Sequence, residues 1–95
     1  MIDFSINFSA LGKDYQANVH RIGSKPVQYH VSDLIPSDIT IPSPYTFLAN
    51  QEQHRFDYPS FGFNYSRQIG SAISKALFNA CEEKGIPVYD ENYNG

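Results

Sequence analysis

The side chains best suited to chemistry in this 95-residue sequence are three histidines and a single cysteine. His20 and His30 occupy outward positions of two neighbouring predicted strands, so their imidazoles should lie close together. A zinc site would need two more ligands, and no cysteine or carboxylate is expected on that face. Because imidazoles titrate near neutrality, the pair could sense pH, but two solvated histidines are the simpler interpretation. We predict no metal and no other cofactor.

Cys81 falls beside the apolar stripe of a predicted helix, near its C-terminus. The helix dipole there disfavours a thiolate, so the sequence indicates a packed, unreactive thiol. A cysteine–histidine nucleophile would need His54 or His20 to reach across the helix, and nothing in the spacing suggests it. No nucleophile elbow, phosphate-binding loop or paired-carboxylate pattern is present. The sequence therefore favours a protein that is not an enzyme.

Composition narrows the classes of partner. Ten acidic and seven scattered basic residues give a net charge of −3, which disfavours nucleic acid because such binders cluster lysine and arginine. A single cysteine excludes an intramolecular disulfide. No apolar stretch approaches the ~20 residues that cross a bilayer, and the N-terminus lacks a leader pattern. We expect a soluble protein, with the cytoplasm as the default location.

The first third of the chain predicts a three-stranded meander over residues 2 to 32. Residues 2 to 10 alternate apolar and polar side chains, and the same alternation recurs after each of two reversals. We place the first turn at Gly12 and Lys13, with glycine at the first central position of a type II′ hairpin. That register puts Ser5 opposite His20.

The rest of the chain divides into four segments. Residues 33 to 44 contain three prolines and are interpreted as an ordered connection. Residues 45 to 65 read as a hairpin followed by an aromatic segment, although Ser43 and Pro44 could instead begin a short helix. Ser66 or Asn64 should cap a helix over residues 66 to 84 that ends at Gly85. The tail, residues 86 to 95, either adds a short strand or is loose.

The helix carries an apolar stripe that must cover something. The inner face of the sheet is the only apolar surface of matching size, so we predict one α+β domain over residues 1 to 95. Its architecture is a small antiparallel sheet, made of the meander and the further hairpin, with one C-terminal helix packed across one face. Phe78 lies opposite the stripe and is expected to be exposed on the helix, where either the tail, through Tyr89 or Tyr93, or another molecule would cover it.

The aromatic segment FDYPSFGFNY has two interpretations. Large rings close the open ends of a small core economically, because each buries roughly 150 to 250 Å². The alternative is an exposed platform for a sugar or a peptide. The candidate aromatic contacts are Phe61, Phe63, Tyr65 and Phe78.

The outer face of the meander is the second candidate surface. Its candidate contacts are neutral and rich in hydrogen-bonding groups: Ser5, Asn7, Asn18, His20, Gln28 and His30. Amides and hydroxyls lose less on desolvation than ions do, which suits contact with another polar surface, although a merely hydrated face would look the same. The first strand also offers an edge for pairing with a second copy, unless the tail near Val88 or a segment near Phe47 covers it.

Two hypotheses follow from these patterns. The first is a small non-enzymatic interaction module that binds itself, as a homodimer, or another protein. The alternative is a small-molecule-binding or enzymatic domain whose site lies in the aromatic region between sheet and helix.

Overall fold

A five-stranded antiparallel sheet and one C-terminal helix make up the fold. The computed structural model describes residues 2–62 and 66–94. The elements are β1 (Ile2–Ala10), β2 (Lys13–Ile22), β3 (Gln28–Ile35), β4 (Tyr45–Asn50), β5 (Arg55–Asp57) and α1 (Ser66–Lys84). The strands follow one another in the order β1-β2-β3-β4-β5. The predicted α+β class, with a meander, a further hairpin and one helix, is confirmed.

The turn between β1 and β2 differs from the prediction. Its two central residues are Leu11 and Gly12, with φ of 56° and 75°, the pattern of a type I′ turn. Ala10 faces Lys13 and Ser5 faces Asn18, so the predicted register, with Ser5 opposite His20, is wrong by two residues. A shift of two leaves every side chain on its own face, and the predicted inner and outer faces therefore survive.

β3 runs further than expected and contains a bulge. Asn18 pairs with Ser32 but Gln16 pairs with Ile35, so one extra residue sits in β3 between these positions. Asp33, at φ 56°, adopts the left-handed conformation that such a bulge uses. The expected connection consequently begins after Ile35 instead of at residue 33.

The segment between β3 and β4 is anchored by Asp38. Its carboxylate accepts hydrogen bonds from the Thr40 amide at 2.9 Å, from the Thr40 hydroxyl at 2.6 Å and from the Tyr15 hydroxyl at 3.2 Å. The Thr40 hydrogen bonds, which favour the charged form, hold the pKa of this carboxyl below its usual value. The proline-rich connection is thus tied to the start of β2.

The chain after Pro44 forms strands, so the alternative of a short helix there is wrong. Ala49 pairs with Phe56 and Asn50 with Arg55. Phe47, Ala49 and Phe56 are buried, which follows from their shared inward parity. The alternation of apolar residues here predicts the observed strands, whereas Ser43 and Pro44 suggest a helix that does not form.

α1 spans the predicted residues and ends at Lys84, directly before Gly85, whose φ is +67°. The amide of Ile86 donates to the Cys81 carbonyl at 2.8 Å, closing the helix with the bond that a glycine in this conformation permits. Ile69, Ile73 and Leu77 are fully buried against the sheet. The backbone of α1 lies closest to β1. No helix among residues 2–62 and 66–94 has the length and apolarity to span a membrane.

Rings from β4, β5 and the following segment fill the space between the sheet and α1. Tyr45 lies 4.7 Å from Phe47 and 5.6 Å from Phe61, measured between ring centroids. The expectation that Phe78 is exposed is wrong: it is half-buried, 4.6 Å from the ring of Phe56. The ring of Phe56, from β5, therefore covers part of the Phe78 side chain.

Candidate functional site

The six candidate residues of the sheet face all lie on its outer side. Ser5, Asn7 and Asn18 are exposed. His20, Gln28 and His30 are half-buried. Of the four candidate aromatics, Phe61 is half-buried against Tyr45, and Phe63 and Tyr65 lie outside the described residues.

Carboxylates also occupy this outer face, contrary to the expectation that it carries none. Asp3 contacts Nδ1 of His20, because the observed register places these two residues opposite each other. The Ser9 hydroxyl donates to Asp14 across the same strand pair. Both acids have the outward parity of their strands, so their place on this face follows from the alternation. The face is therefore polar and weakly acidic.

The two histidines stand side by side on the outer face. Their ring centroids are 6.3 Å apart, with the rings at 87°. Nε2 of His30 lies 2.9 Å from the Gln28 amide oxygen. Within the part of the chain that the structure describes, no group of three or more histidine, cysteine or acidic side chains could hold a metal.

β1 is the edge strand of the sheet, and over the described residues it pairs only with β2. Neither covering segment that the sequence suggested lies there. Phe47 belongs to β4, on the far side of β3, and the tail is held by Arg21 of β2 and packs on the loop between β2 and β3. We call the unpaired side of β1 the free edge.

The backbone groups at the free edge follow from the hairpin. The residues flanking a two-residue turn form a hydrogen-bonded pair, and such pairs alternate along the ladder. Ala10 and Lys13 flank the turn, so even-numbered residues of β1 bond to β2. The N–H and C=O groups of the odd-numbered residues therefore point outward along the free edge, and they belong to Asp3, Ser5, Asn7 and Ser9.

A buried arginine of β2, which pairs with Ile2 of β1, holds the tail. Arg21 is 1% exposed, and its guanidinium donates to the carbonyls of Pro87 and Asp90, both at 2.8 Å, and of Tyr93 at 3.3 Å. Its Nε donates to the Tyr29 hydroxyl at 3.0 Å. No described carboxylate forms an ion pair with it. Arg21 thus holds the tail in place by donating hydrogen bonds to its backbone carbonyls.

The tail also presses directly on the loop between β2 and β3. A Cβ placed on Gly23 would lie 2.5 Å from the carbonyl oxygen of Glu91, so only glycine fits there. Over residues 86–94 the tail adds no strand to the sheet and is not loose, so neither of the two expectations for it describes the structure.

The clasped tail forms one wall of a cleft of about 870 Å³. The other walls are the loop after β2 and the turn between β4 and β5. Five charged residues line the cleft: Lys25, Glu52, Asp57, Asp90 and Glu91. Its apolar lining includes Val27, Leu48, Val88 and Tyr89. Sequence analysis missed this cleft, because it is assembled from three segments distant in the chain.

Cys81 is buried next to Tyr29, the tyrosine that accepts a hydrogen bond from Arg21. Its sulfur lies 3.7 Å from the Tyr29 hydroxyl, and burial raises the pKa of its thiol. His20 lies on the outer face of the sheet and His54 against the ring of Tyr89. The geometry gives Cys81 a packing role and brings no histidine to it as a base.

Comparison of the chain with protein-family models, with curated proteins and with solved structures finds no match in any of the three.

Proposed function

We propose that this protein is a non-enzymatic module that associates with a second copy of itself by adding β1 to β1 of the partner. The observation that carries the proposal is the free edge. It belongs to a strand of nine residues, whereas β5 at the other edge has only three. Long unprotected edges pair readily with other strands, and natural sheets usually guard them with proline, lysine or a bulge. β1 contains no proline, lysine or bulge, and its one charged residue is Asp3, near its N-terminal end.

The alternation of backbone groups defines the expected register. Two-fold symmetric pairing with full overlap places Ile6 opposite Ile6 of the partner subunit. Ser5 then faces the partner's Asn7, and Asp3 faces the partner's Ser9. All outward-pointing N–H and C=O groups of both copies find acceptors and donors in this register.

Side chains suit the same arrangement on both faces of the sheet. Hydroxyl, amide and carboxylate groups meet across the outer face, where each donor can find an acceptor. On the inner face, Ile2 and Phe4 are half-buried in the single chain, although Ile6 and Phe8 beside them are buried. The partner strand would cover the exposed parts of Ile2 and Phe4, which adds apolar burial to the backbone hydrogen bonds.

The alternative site, in the aromatic region between sheet and helix, has less support. The described rings there pack on one another, as Phe47 does on Tyr58 with centroids 5.1 Å apart. The Tyr45 hydroxyl donates a hydrogen bond to the Pro59 carbonyl at 2.8 Å. These contacts support core packing in preference to a ligand platform. A cytoplasmic location stays a prediction.

Sedimentation velocity across a concentration series tests the proposal. We expect the wild-type chain to shift from monomer to dimer as concentration rises. Asn7→Pro should stay monomeric, because it removes an N–H that points to the free edge and bonds to no group of the described residues. Asn7→Ala is the matched control, since it removes the same side chain but keeps the N–H and should still dimerise.

Circular dichroism should show both variants folded. A wild-type chain that remains monomeric at every concentration contradicts the proposal. Equal dimerisation of Asn7→Pro and wild type would move the interface away from β1.

A further inference from the structure

We propose that the cleft beside the tail binds a small organic cation, an ammonium group carried on an aliphatic stem. None of the residues lining the cleft comes from β1. The proposal therefore goes beyond self-association and does not rest on it. The volume of the cleft, about 870 Å³, lies within the ~300 to 1,000 Å³ typical of small-molecule sites.

The walls of the cleft are fixed before any ligand arrives. Arg21 holds the tail at the carbonyls of Pro87 and Asp90, each at 2.8 Å. Gly23 leaves no gap beneath Glu91. A preformed cleft spends little of the binding free energy on ordering its own chain, so a small ligand can bind there with few contacts.

Charge selects a cation. Asp57 is already engaged, because it accepts hydrogen bonds from Asn50 at 3.0 Å and from Arg55 at 3.1 Å. The Asp90 carboxylate accepts a hydrogen bond from the Asn92 amide at 2.9 Å. Glu52 and Glu91 form no hydrogen bond or ion pair with the described residues, and Lys25 is the one basic residue of the lining. The excess of negative charge around a concave surface concentrates cations there.

The apolar lining selects an organic cation in preference to a hydrated metal ion. Leu48, Val88 and Tyr89 are half-buried, so each retains accessible surface at the cleft. Aliphatic methylenes can cover Leu48 and Val88, and the ring of Tyr89 can stack under an ammonium group. An amine with a short apolar stem satisfies both parts of the lining.

NMR titration with 1,5-diaminopentane tests the proposal. We expect amide shifts confined to residues 25, 27, 50–52 and 88–92, with a Kd of about 0.1 to 10 mM. The neutral isostere 1,5-pentanediol should leave these amides unmoved. A blocked lysine, acetylated and amidated, separates two sources of the same chemistry: binding as tight as the diamine indicates a lysine side chain of a peptide, and weaker binding indicates a free amine.

Two matched double variants distinguish attraction of the diamine to the acids of the cleft from attraction to the net charge of the protein. Glu52→Gln with Glu91→Gln should weaken diamine binding about tenfold. Glu82→Gln with Glu83→Gln, at the exposed end of α1, changes the net charge equally and should leave the affinity within about twofold. Equal weakening by both pairs, binding of the diol, or an absence of shifts with the diamine would each overturn the proposal. Asn7→Pro should bind the diamine normally, so failure here and failure of self-association are distinguishable.

Discussion

Arg21 is the residue on which the tail depends. A buried charge without a carboxylate is costly unless its hydrogen-bonding groups are satisfied. Arginine suits the position because its planar fork donates in several directions at once, here to three tail carbonyls and the Tyr29 hydroxyl. The rings of Tyr29 and Tyr93 lie 5.6 and 5.8 Å from its Cζ, adding cation–π contact.

Replacing Arg21 with methionine should release the tail. Methionine keeps the apolar stem but leaves the carbonyls of Pro87 and Asp90 without a donor, so we expect a loss of about 1 to 3 kcal/mol in the free energy of unfolding. Urea denaturation measures that loss, and hydrogen exchange should show faster exchange over residues 86–94. Arg55→Met is the control, because Arg55 is exposed and its surface pair with Asp57 should contribute less than about 1 kcal/mol. Unchanged protection of the tail would contradict the clasp.

The alternation of apolar and polar residues that predicts the strands also predicts which face of the sheet Arg21 and Asp3 occupy. Tyr15, Ala17 and Val19 are inward, and Arg21 continues their parity into the core. A charged residue at an inward position predicts a buried polar network, but the sequence cannot show that its acceptors come from a tail more than sixty residues away. The outward parity of Asp3 likewise predicts its presence on the outer face. Both residues were identifiable, whereas their partners required the tertiary fold.

At the scale of elements, the turn between β1 and β2 combines an unfavourable residue with a favourable one. Leu11 has a φ of 56° and is 45% exposed. A side chain with a Cβ is strained by about 1 to 2 kcal/mol in this conformation, whereas asparagine tolerates it. Gly12, at φ 75°, suits the second position of the turn.

Leu11→Asn should therefore stabilise the protein. The change creates the Asn-Gly pair that type I′ hairpins prefer, and we expect a gain of about 0.5 to 1 kcal/mol in chemical denaturation. Leu11→Ala is the control, since it removes the exposed side chain but keeps the backbone strain, and it should give little change. A gain from alanine equal to that from asparagine would show that the side chain, and not the turn conformation, is the unfavourable part.

The same turn shows where pattern analysis of the elements stops. Glycine can occupy the first position of a type II′ turn or the second position of a type I′ turn, and the two choices give registers that differ by two residues. Both registers place the apolar side chains of β1 and β2 on one face, so alternation cannot choose between them. For α1 the signals agreed with one another, from its apolar stripe to Gly85, and its bounds were predictable.

On the scale of the whole molecule, the two proposed surfaces lie on different parts of the fold. The free edge belongs to β1, and the cleft is lined by the loop after β2, the turn after β4 and the tail. A dimer formed through β1 leaves the cleft of each copy open, because no residue of β1 lines it. Self-association and ligand binding can therefore be tested separately, and either can fail without the other.

The core of the molecule also determines how stability depends on pH. Burial raises the pKa of Tyr45 from 10.0 to about 12, and it raises the pKa of Tyr29 and of the Cys81 thiol as well. A raised pKa in the folded state means that ionisation favours the unfolded chain. The stability these groups contribute is complete below their unfolded pKa values and is lost as pH rises through the folded ones.

We therefore expect alkaline unfolding, and Tyr45→Phe isolates one contribution to it. At neutral pH the variant should lose about 1 kcal/mol, because the hydrogen bond to the Pro59 carbonyl disappears. Between pH 10.0 and about 12, its stability should fall less steeply than that of the wild type, since one buried group no longer ionises on unfolding. Urea denaturation across this range gives the slopes, and ultraviolet absorbance of tyrosinate follows ionisation directly. Identical slopes for the two proteins would show that Tyr45 titrates in the folded state as it does in the unfolded chain, and that its ring is less protected than the contacts with Phe47 and Phe61 imply.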